Sequence, residues 1–484
     1  MACDGSGRVD RPVAAVDDGR IVNTAGNMSL SDEPALGPRS AGVLLHPTSL
    51  PGPGPNGRLD TSAYRFIDWL ASAGFRYWQM LPVGPVDDTD CPYQPPSTCA
   101  GGTHLLDPGD CAEPSDEALE AFVRTERDWL EDWALFAALR ARFARPWPKW
   151  PAAVRERAPD ALADARRELA GAIHAERVAQ WRFAHQWRCL RTYAHARGVG
   201  LFGDVPIYCA LDSADVWVEP HLFTVDADGT VTGEAGVPPD AFSETGQHWG
   251  QPLHDWEAHA ADGWRWWSRR LRVQAGCFDL LRIDHFRGFA AAWSIPAGAA
   301  AARDGRWVPG PGRVPFDAIR AQLGHLPLVA EDLGVITDDV HALRDGLGVP
   351  GMRVLQFAFD GGPDNPHRPE HHPEWSVAYT GTHDNDTTLG WWRSLDEDER
   401  DAVRWALEMT GVTMPAPLID AALGSRARLA IIPFQDLLAR GSEARMNVPG
   451  SCQGNWMWRF EMDDLAALDS ASWRARLARF GRVG

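Results

Sequence analysis

Positive charge, long apolar runs and tyrosine are all scarce in this 484-residue sequence. The formal net charge of −19 disfavours nucleic acids and anionic membranes as partners, because both select surfaces rich in Lys and Arg. No apolar run approaches the roughly 18 residues that span a bilayer. We therefore expect a neutral or cationic ligand and no insertion into a membrane.

Organised cysteines are missing as well. The eight cysteines are scattered, with no CxxC pair and no regular spacing, which disfavours both a zinc site and a disulfide framework. Residues 1–40 are polar and lack the apolar core of a signal peptide. We expect these residues to form a disordered leader, with Met28 as a possible true start, and the protein to be cytoplasmic.

Tryptophan, by contrast, is abundant, with 23 residues against six tyrosines. Half or more of these indoles can simply be core, because Trp is a large apolar filler. Proteins that bind sugars also need flat aromatic faces, which stack on the C–H faces of pyranose rings. The composition favours a sugar ligand modestly and does not decide the matter.

Eight apolar runs of strand length recur along the chain, and nearly every one ends in a polar or acidic cluster. Apolar runs without strict alternation are typical of parallel strands buried on both faces, and stretches between them, such as 61–74 and 338–347, have helical periodicity. The sequence therefore predicts an α/β fold, a single (β/α)8 barrel over residues 41–484, with its chemistry at the C-terminal strand ends. The runs are 42–49, 77–85, 200–208, 278–286, 327–334, 352–359, 376–384 and 428–438.

Two insertions interrupt this pattern. The first, about 110–199, is rich in Ala, Arg, Glu and Trp and has a helical pattern broken at Pro146, Pro148 and Pro151. We expect it to form a helical subdomain on the barrel rim. The second, about 209–262, has a loop-like composition of Pro, Gly, Asp and Trp, and we expect it to overhang the active site as a lid.

Acidic residues end two consecutive runs. Strand alternation places Arg282 and Asp284 on one side of the fourth run, where the guanidinium would keep the carboxylate ionised, as a nucleophile requires. A purely structural ion pair is the alternative. Glu331 and Asp332 end the next run; one of them must face the barrel mouth, and Asp332 could instead cap the following helix. Retaining glycosidases hold two carboxyls about 5 to 5.5 Å apart, a separation that neighbouring strands can supply.

The seventh run ends in Thr-Gly-Thr-His-Asp-Asn-Asp at 380–386. A helix cap and a metal site are alternatives to a sugar site here. The metal is disfavoured because the only nearby histidines, His367, His371 and His372, lie in a Pro-rich loop where we expect them to be solvated. In the functional interpretation, His383 and Asp384 bind hydroxyls of the sugar being transferred.

Together these segments closely resemble the amylomaltases, the 4-α-glucanotransferases of glycoside hydrolase family 77, from about residue 42 to 460. The matching motifs are HPTSLPGP at 46–53, GDVPIY at 203–208, DSADVW at 212–217, GVPPDAFSETGQHWGQPL at 236–253, and further on LLRIDHFRGF, VAEDLGVIT, PGMRVLQFAFD, YTGTHDNDTTLGWW, GSEARMN and GNWMWR.

The resemblance implies a retaining transfer of α-1,4-linked glucosyl or maltooligosyl units between oligosaccharides. Asp284 would attack the anomeric carbon, Glu331 would protonate the leaving oxygen and Asp384 would stabilise the transition state. No metal or organic cofactor is implied. The implied binding residues are Arg282 and His383 in the same donor site, Tyr93, Asp240, Gln247, Trp249 and Asn447, with Asp204 as a supporting member.

The chain also departs from the family pattern. Three aromatic residues of the family pattern are replaced: a tyrosine in the lid by Ala241, another tyrosine by Asp88 and an aromatic residue by His367. Two motifs also change: GNPLY becomes GQPLH at 250–254, with Gln251 for Asn, and AGNPYL becomes AGGTHL at 100–105. Each lost aromatic platform is worth on the order of 1 kcal/mol. We therefore expect weak activity on polymeric amylose and a preference for short or modified oligosaccharides. An oligosaccharide hydrolase, a non-catalytic glucan-binding paralogue and a metal-dependent barrel hydrolase are the alternatives.

Overall fold

The computed structural model describes residues 35–110, 112–226, 228–239, 245–451 and 453–484. Within them lie twelve strands: β1 Ser40–Leu44, β2 Tyr77–Gln79, β3 Gly200–Pro206, β4 Gly233–Val237, β5 Gln247–Pro252, β6 Leu280–Asp284, β7 Ala291–Pro296, β8 Arg306–Pro309, β9 Leu328–Ala330, β10 Gly351–Val354, β11 Ser376–Tyr379 and β12 Leu429–Pro433. Most of the predicted leader lies outside the described residues. Leu36 is already buried, and β1 begins at Ser40.

Eight of these strands form one parallel sheet in the order β10-β11-β12-β1-β2-β3-β6-β9. The amide of Ala330 donates to the carbonyl of Pro350 at 2.8 Å, which brings β9 against the start of β10 and nearly closes the sheet into a barrel. Each of the eight predicted runs overlaps one barrel strand. The predicted (β/α)8 barrel is confirmed.

The described helices are α1 Thr61–Ala73, α2 Asp116–Thr125, α3 Leu130–Phe143, α4 Ala152–Arg155, α5 Pro159–Glu168, α6 Ala170–His195, α7 Ala214–Val218, α8 Trp256–Ala261, α9 Arg265–Cys277, α10 Val314–Leu323, α11 Asp338–Leu347, α12 Thr388–Ser394, α13 Glu397–Ala406, α14 Ala416–Gly424, α15 Phe434–Leu437, α16 Met462–Ala467 and α17 Ser470–Arg479. None of them is long and apolar enough to cross a membrane.

Local sequence explains where helices begin and end. At α1, the Asp60 side chain accepts a hydrogen bond from the Ser62 amide, and Gly74 takes the left-handed conformation, φ 86°, that ends the helix. At α11, Gly348 ends the helix in the same way, with φ 69°. Helices α2 to α6 lie between β2 and β3, and a short 3-10 turn, Trp147–Lys149, falls in the Pro-rich break between α3 and α4.

A second sheet lies above the barrel. It is antiparallel, in the order β5-β4-β7-β8, and takes two strands from the segment 209–262 and two from the segment after β6. The interpretation of 209–262 as loop-like is therefore wrong in part. Glycine-rich sequences such as Gly-Glu-Ala-Gly-Val in β4 have little β propensity by themselves, and pairing with β7 makes the strand. Asp240 and Ala241, between β4 and β5, lie outside the described residues.

Candidate active site

A cleft of about 610 Å³ opens at the C-terminal ends of the barrel strands, within the usual size range for small-molecule sites. The antiparallel sheet forms part of its rim. Among the residues that line it are nine of the predicted site residues: Tyr93, Gln247, Trp249, Arg282, Asp284, Glu331, His383, Asp384 and Asn447. Asp204 is buried next to Arg282 and is not one of the lining residues.

Arg282 is the buried cation at the base of the cleft. Its Nη1 donates to Asp204 Oδ2 on the neighbouring β3 at 2.7 Å, and its Nη2 contacts Asp284 Oδ1 at 2.9 Å. Tyr93 donates its hydroxyl to Asp204 Oδ2 at 2.7 Å. The alternation argument is confirmed, because Arg282 and Asp284 do lie on one side of β6. One guanidinium thus bridges a buried carboxylate and one that faces the cleft.

Glu331 follows β9, the strand next to β6, and its amide donates to the carbonyl of Ile283 at 3.0 Å. Its two carboxyl oxygens accept backbone amides, Oε2 from His285 at 2.7 Å and Oε1 from Leu333 at 2.9 Å. His285 has left-handed backbone angles, φ 51° and ψ 47°, and in this turn its N–H reaches Glu331. Asp284 and Glu331 therefore face the same cleft from neighbouring strands.

Burial raises the pKa of both Asp284 and Glu331, and the Arg282 guanidinium opposes this shift without cancelling it. The prediction that the Arg282 guanidinium keeps Asp284 ionised is opposed by burial, because desolvation raises the pKa of Asp284 more than the ion pair lowers it. Burial also lowers the pKa of His285 to about 3, so its imidazole is neutral. The Glu331 carboxyl adds to the rise in the pKa of Asp284, so the protonation of the two groups is linked.

The neighbouring acid, Asp332, faces away from the cleft. It accepts the Met352 amide at 2.6 Å, contacts Arg353 at 3.3 Å and pairs with Arg344. The residue at the start of α11 is Thr337, so the helix-cap interpretation of Asp332 is wrong. Asp332 instead ties together the end of β9, the strand β10 and the helix α11.

His383 and Asp384 form the opposite wall with Asn447. The Asp384 Oδ1 atom accepts from Asn447 Nδ2 at 2.6 Å, and His383 Nε2 lies 3.4 Å from Asp384 Oδ2. The Tyr93 ring stacks on the His383 imidazole, with centroids 5.2 Å apart and planes 10° apart. Burial lowers the pKa of His383, so its ring is neutral. The cap of α12 is Thr387, which excludes the helix-cap interpretation of Asp384.

The lid strand β5 contributes Gln247 and Trp249. The Trp249 indole N–H donates to Gln247 Oε1 at 3.1 Å, and its ring meets His285 edge to face at 4.9 Å. Gln94 Nε2 donates to the carbonyl of Trp249 at 3.1 Å, and Gln251 Nε2 donates to the carbonyl of Tyr93 at 2.8 Å. Gln94 and His285 were not predicted as site residues, although each directly follows one.

The departures from the family pattern differ in where they lie. Asp88 and Gln251 line the cleft. His367 does not; it is half-buried and accepts the Val354 amide at 3.1 Å, and burial lowers its pKa to about 4. His372 is buried and lies 2.8 Å from the carbonyl of His367. The predictions that His367 and His372 are solvated, and that His367 trims a sugar-stacking surface, are therefore wrong.

His254, another departure, packs in an aromatic cluster with Phe223, Trp256 and Trp266 and does not line the cleft. Ala241 lies outside the described residues, so its effect on the lid stays a prediction. In the described part of the chain, no three or more His, Cys, Asp or Glu side chains are grouped so that they could bind a metal ion.

Comparison with known proteins gives a consistent picture. A family model described as 4-alpha-glucanotransferase matches residues 45–119 and 110–464. The 4-alpha-glucanotransferase of Thermus thermophilus is 44% identical over 489 residues, covering 90% of this chain and 98% of the relative. The chloroplastic/amyloplastic 4-alpha-glucanotransferase of Solanum tuberosum is 39% identical, covering 92% and 87%.

Two amylomaltases are among the solved structures that are similar to this chain. Amylomaltase from Streptococcus agalactiae in complex with acarbose has a TM-score of 0.87 and 32% identity, covering 92% of this chain and 100% of that one. Amylomaltase from Corynebacterium glutamicum has a TM-score of 0.73 and 16% identity, covering 92% and 75%; at that identity it supports the fold alone.

Proposed function

The chain belongs to the 4-alpha-glucanotransferase family, and from this premise we propose that it transfers glucosyl or maltooligosyl units between α-1,4-linked oligosaccharides through a covalent intermediate on Asp284. The observation that carries the proposal is the pair of acids on neighbouring strands. Asp284 contacts a buried guanidinium at 2.9 Å, whereas Glu331 is bonded to two backbone amides. In the proposed mechanism Asp284, which faces a full positive charge, carries the negative charge of the pair, and Glu331, whose hydrogen-bond donors are neutral amides, carries the proton.

The two steps follow from this division of charge. In the first, an Asp284 oxygen bonds to the anomeric carbon while the glycosidic bond breaks and Glu331 gives its proton to the leaving oxygen. In the second, Glu331 takes the proton of an acceptor hydroxyl, whose oxygen bonds to the anomeric carbon as Asp284 leaves. Two displacements at one carbon retain the α configuration.

Asp384, His383 and Asn447 are the proposed donor-sugar contacts. Asn447 fixes one Asp384 oxygen at 2.6 Å and leaves the other available to sugar hydroxyls, whose hydrogen bonds strengthen as the ring flattens toward an oxocarbenium ion. Tyr93 and Asp204 support Arg282 and His383 from behind. Asp240 is part of the same proposal from family resemblance.

Short or modified maltooligosaccharides are the proposed donors and acceptors. Asp88 and Gln251 support this preference, because both line the cleft at positions where the family pattern has a tyrosine and a shorter amide. The cytoplasm is the proposed location, which the scattered cysteines support.

The test is the product pattern from maltotriose. The wild-type protein should yield longer oligomers together with glucose, whereas glucose and maltose alone would indicate hydrolysis and defeat the transfer proposal. Asp284→Asn should lower turnover by at least about 10⁴-fold with an unchanged melting temperature. Asp364→Asn, at an exposed position outside the cleft, is the matched control and should keep full turnover. Turnover unaltered by Asp284→Asn would refute the assignment of the nucleophile.

A further inference from the structure

Only two tryptophans are among the strongly exposed large apolar residues of the described chain: Trp307, 38% exposed, and Trp405, 79% exposed. Trp405 lies on α13, away from the cleft. Trp307 lies on β8 and lines the same cleft as Asp284 and Glu331. A large apolar side chain left open to water inside a binding cleft is more informative than one on an ordinary surface.

The Trp307 ring is held in place by two contacts. The Arg287 guanidinium lies over it, 3.8 Å from the ring centroid. Trp293, its cross-strand partner on β7, packs against it with centroids 5.1 Å apart and planes 69° apart. The Trp293 indole donates to the carbonyl of Ala302 at 2.7 Å. These contacts fix the ring before any ligand arrives, which lowers the entropy cost of binding.

A glycine makes room for this arrangement. A Cβ atom at Gly305 would lie 2.3 Å from the Trp293 indole nitrogen, so a side chain there would push Trp293 off Trp307. The Trp307 indole N–H makes no hydrogen bond to any residue in the described ranges, and it remains available to a ligand hydroxyl.

The contacts of Arg287 connect Trp307 to the loop that follows Glu331. Arg287 donates through Nη1 to the carbonyl of Val335, in the loop that follows Glu331 and whose Leu333 amide bonds to the Glu331 carboxyl. Trp307 therefore belongs to the Glu331 side of the cleft. In the proposed mechanism, Glu331 protonates the leaving sugar and deprotonates the acceptor, so both bind on this side.

We propose that Trp307 is the platform on which the acceptor sugar stacks, held in orientation by Arg287, and that it determines how well a sugar competes with water for the intermediate. The inference rests on the proposed function, because an acceptor side exists only if Glu331 is the acid and base. Indole faces bind the C–H faces of pyranose rings, and the indole N–H, which bonds to no residue of the described ranges, adds a hydrogen bond to one hydroxyl.

The test uses maltotriose as donor and isotopically labelled glucose as acceptor. Trp307→Ala should raise the KM for labelled glucose about 3- to 10-fold, the usual scale for one lost aromatic contact. The kcat at saturating glucose should change less than twofold, and the ratio of hydrolysis to transfer should rise. Trp307→Phe, which keeps a flat ring, should recover most of the loss. Trp405→Ala is the matched control and should leave the KM unchanged.

Trp307→Leu covers the case in which the alanine variant fails to fold, because it keeps apolar bulk without a flat ring and should raise the KM in the same way. An unchanged KM for glucose in a folded Trp307→Ala or Trp307→Leu protein would overturn the inference. So would an equal fall in hydrolysis and transfer, which indicates a general structural effect. If the wild-type protein forms no labelled oligomer, the transferase proposal fails instead, and the two failures are distinguished.

Discussion

At the scale of single residues, Arg282 links the parts of the catalytic floor. The two terminal nitrogens of its guanidinium contact Asp204 and Asp284, at 2.7 and 2.9 Å. The Tyr93 hydroxyl also donates to Asp204. A planar guanidinium suits this bridge better than a lysine would, because it presents several donors in a fixed geometry. The orientation of the proposed nucleophile therefore depends on Asp204, a residue of the neighbouring strand that does not line the cleft.

The dependence of activity on pH follows from the same carboxyls. Glu331 must be protonated to act as acid, and burial raises its pKa, so kcat/KM should fall as pH rises past this raised pKa. Asp284 must be charged to attack, and its pKa is also raised by burial, so activity should fall on acidification well above the ordinary Asp pKa of about 3.9. A narrow bell near neutral pH is the expected kcat/KM profile for maltotriose.

An α-glucosyl fluoride donor tests the role of Glu331 as the acid, because fluoride leaves without a proton and the first step then needs no acid catalysis. With this donor and Glu331→Gln, the fall in the rate of formation of the glycosyl intermediate at high pH should vanish while the fall at low pH remains. A high-pH limb that survives in Glu331→Gln would mean that another group is responsible for it.

At the scale of elements, the side chains of two glutamines hydrogen-bond the loop 91–94 to the lid strand β5. Gln94 donates to the Trp249 carbonyl and Gln251 to the Tyr93 carbonyl, at 3.1 and 2.8 Å. Because these bonds run in opposite directions between the same two segments, they set the position of the donor-side Tyr93 relative to the lid-side Trp249.

We predict that Gln251→Leu lowers kcat/KM for maltotriose about 3- to 10-fold, the scale of one hydrogen bond. Because the two bonds join the same segments, Gln94→Leu combined with Gln251→Leu should cost less than the sum of the single variants. A double-mutant cycle on kcat/KM measures this. Gln322→Leu removes a similar amide-to-carbonyl bond, to Gly263 at 3.1 Å, outside the cleft, and should be silent. Strictly additive losses would show that the two bonds act independently.

How far the sequence predicts this site depends on where each signal comes from. The barrel strands are predictable because each is apolar and nearly every one ends in a polar or acidic cluster, and the alternation of Arg282 and Asp284 is local. Which of Glu331 and Asp332 faces the cleft is not predictable from the sequence, since it depends on how β9 pairs with β6. The strand β8, Arg-Trp-Val-Pro, has no period of its own, and only its pairing with β7 makes Trp307 a cleft residue.

At the scale of the whole molecule, the end of the barrel opposite the cleft is closed by buried arginines. Arg482 is fully buried and donates to five carbonyls, those of Leu423 at 2.6 Å, Ser40 at 2.8 Å, Ala427 at 2.8 Å, Ser425 at 3.1 Å and Arg428 at 3.4 Å. These join the start of β1 to the connection between α14 and β12. Burial lowers the pKa of Arg482 to about 9, the cost of placing a cation among carbonyls without a carboxylate.

Arg482→Met should therefore destabilise the protein while leaving catalysis intact. The variant keeps most of the apolar stem but removes the side-chain donor of the Ser40 and Ser425 carbonyls, whereas Arg39 still reaches those of Leu423 and Ala427. At about 1–3 kcal/mol for each carbonyl left without a donor, the expected loss is roughly 2–4 kcal/mol of unfolding free energy. Thermal unfolding should show a melting temperature several degrees lower. Maltotriose turnover at 25 °C should stay within twofold of wild type, because the cleft is at the other end of the strands. Arg479→Met, at an exposed position on α17, should shift neither quantity. A melting temperature unchanged by Arg482→Met would mean that Arg39, which donates to the carbonyls of Leu423 and Ala427 at 2.9 and 3.1 Å, is sufficient to close this end.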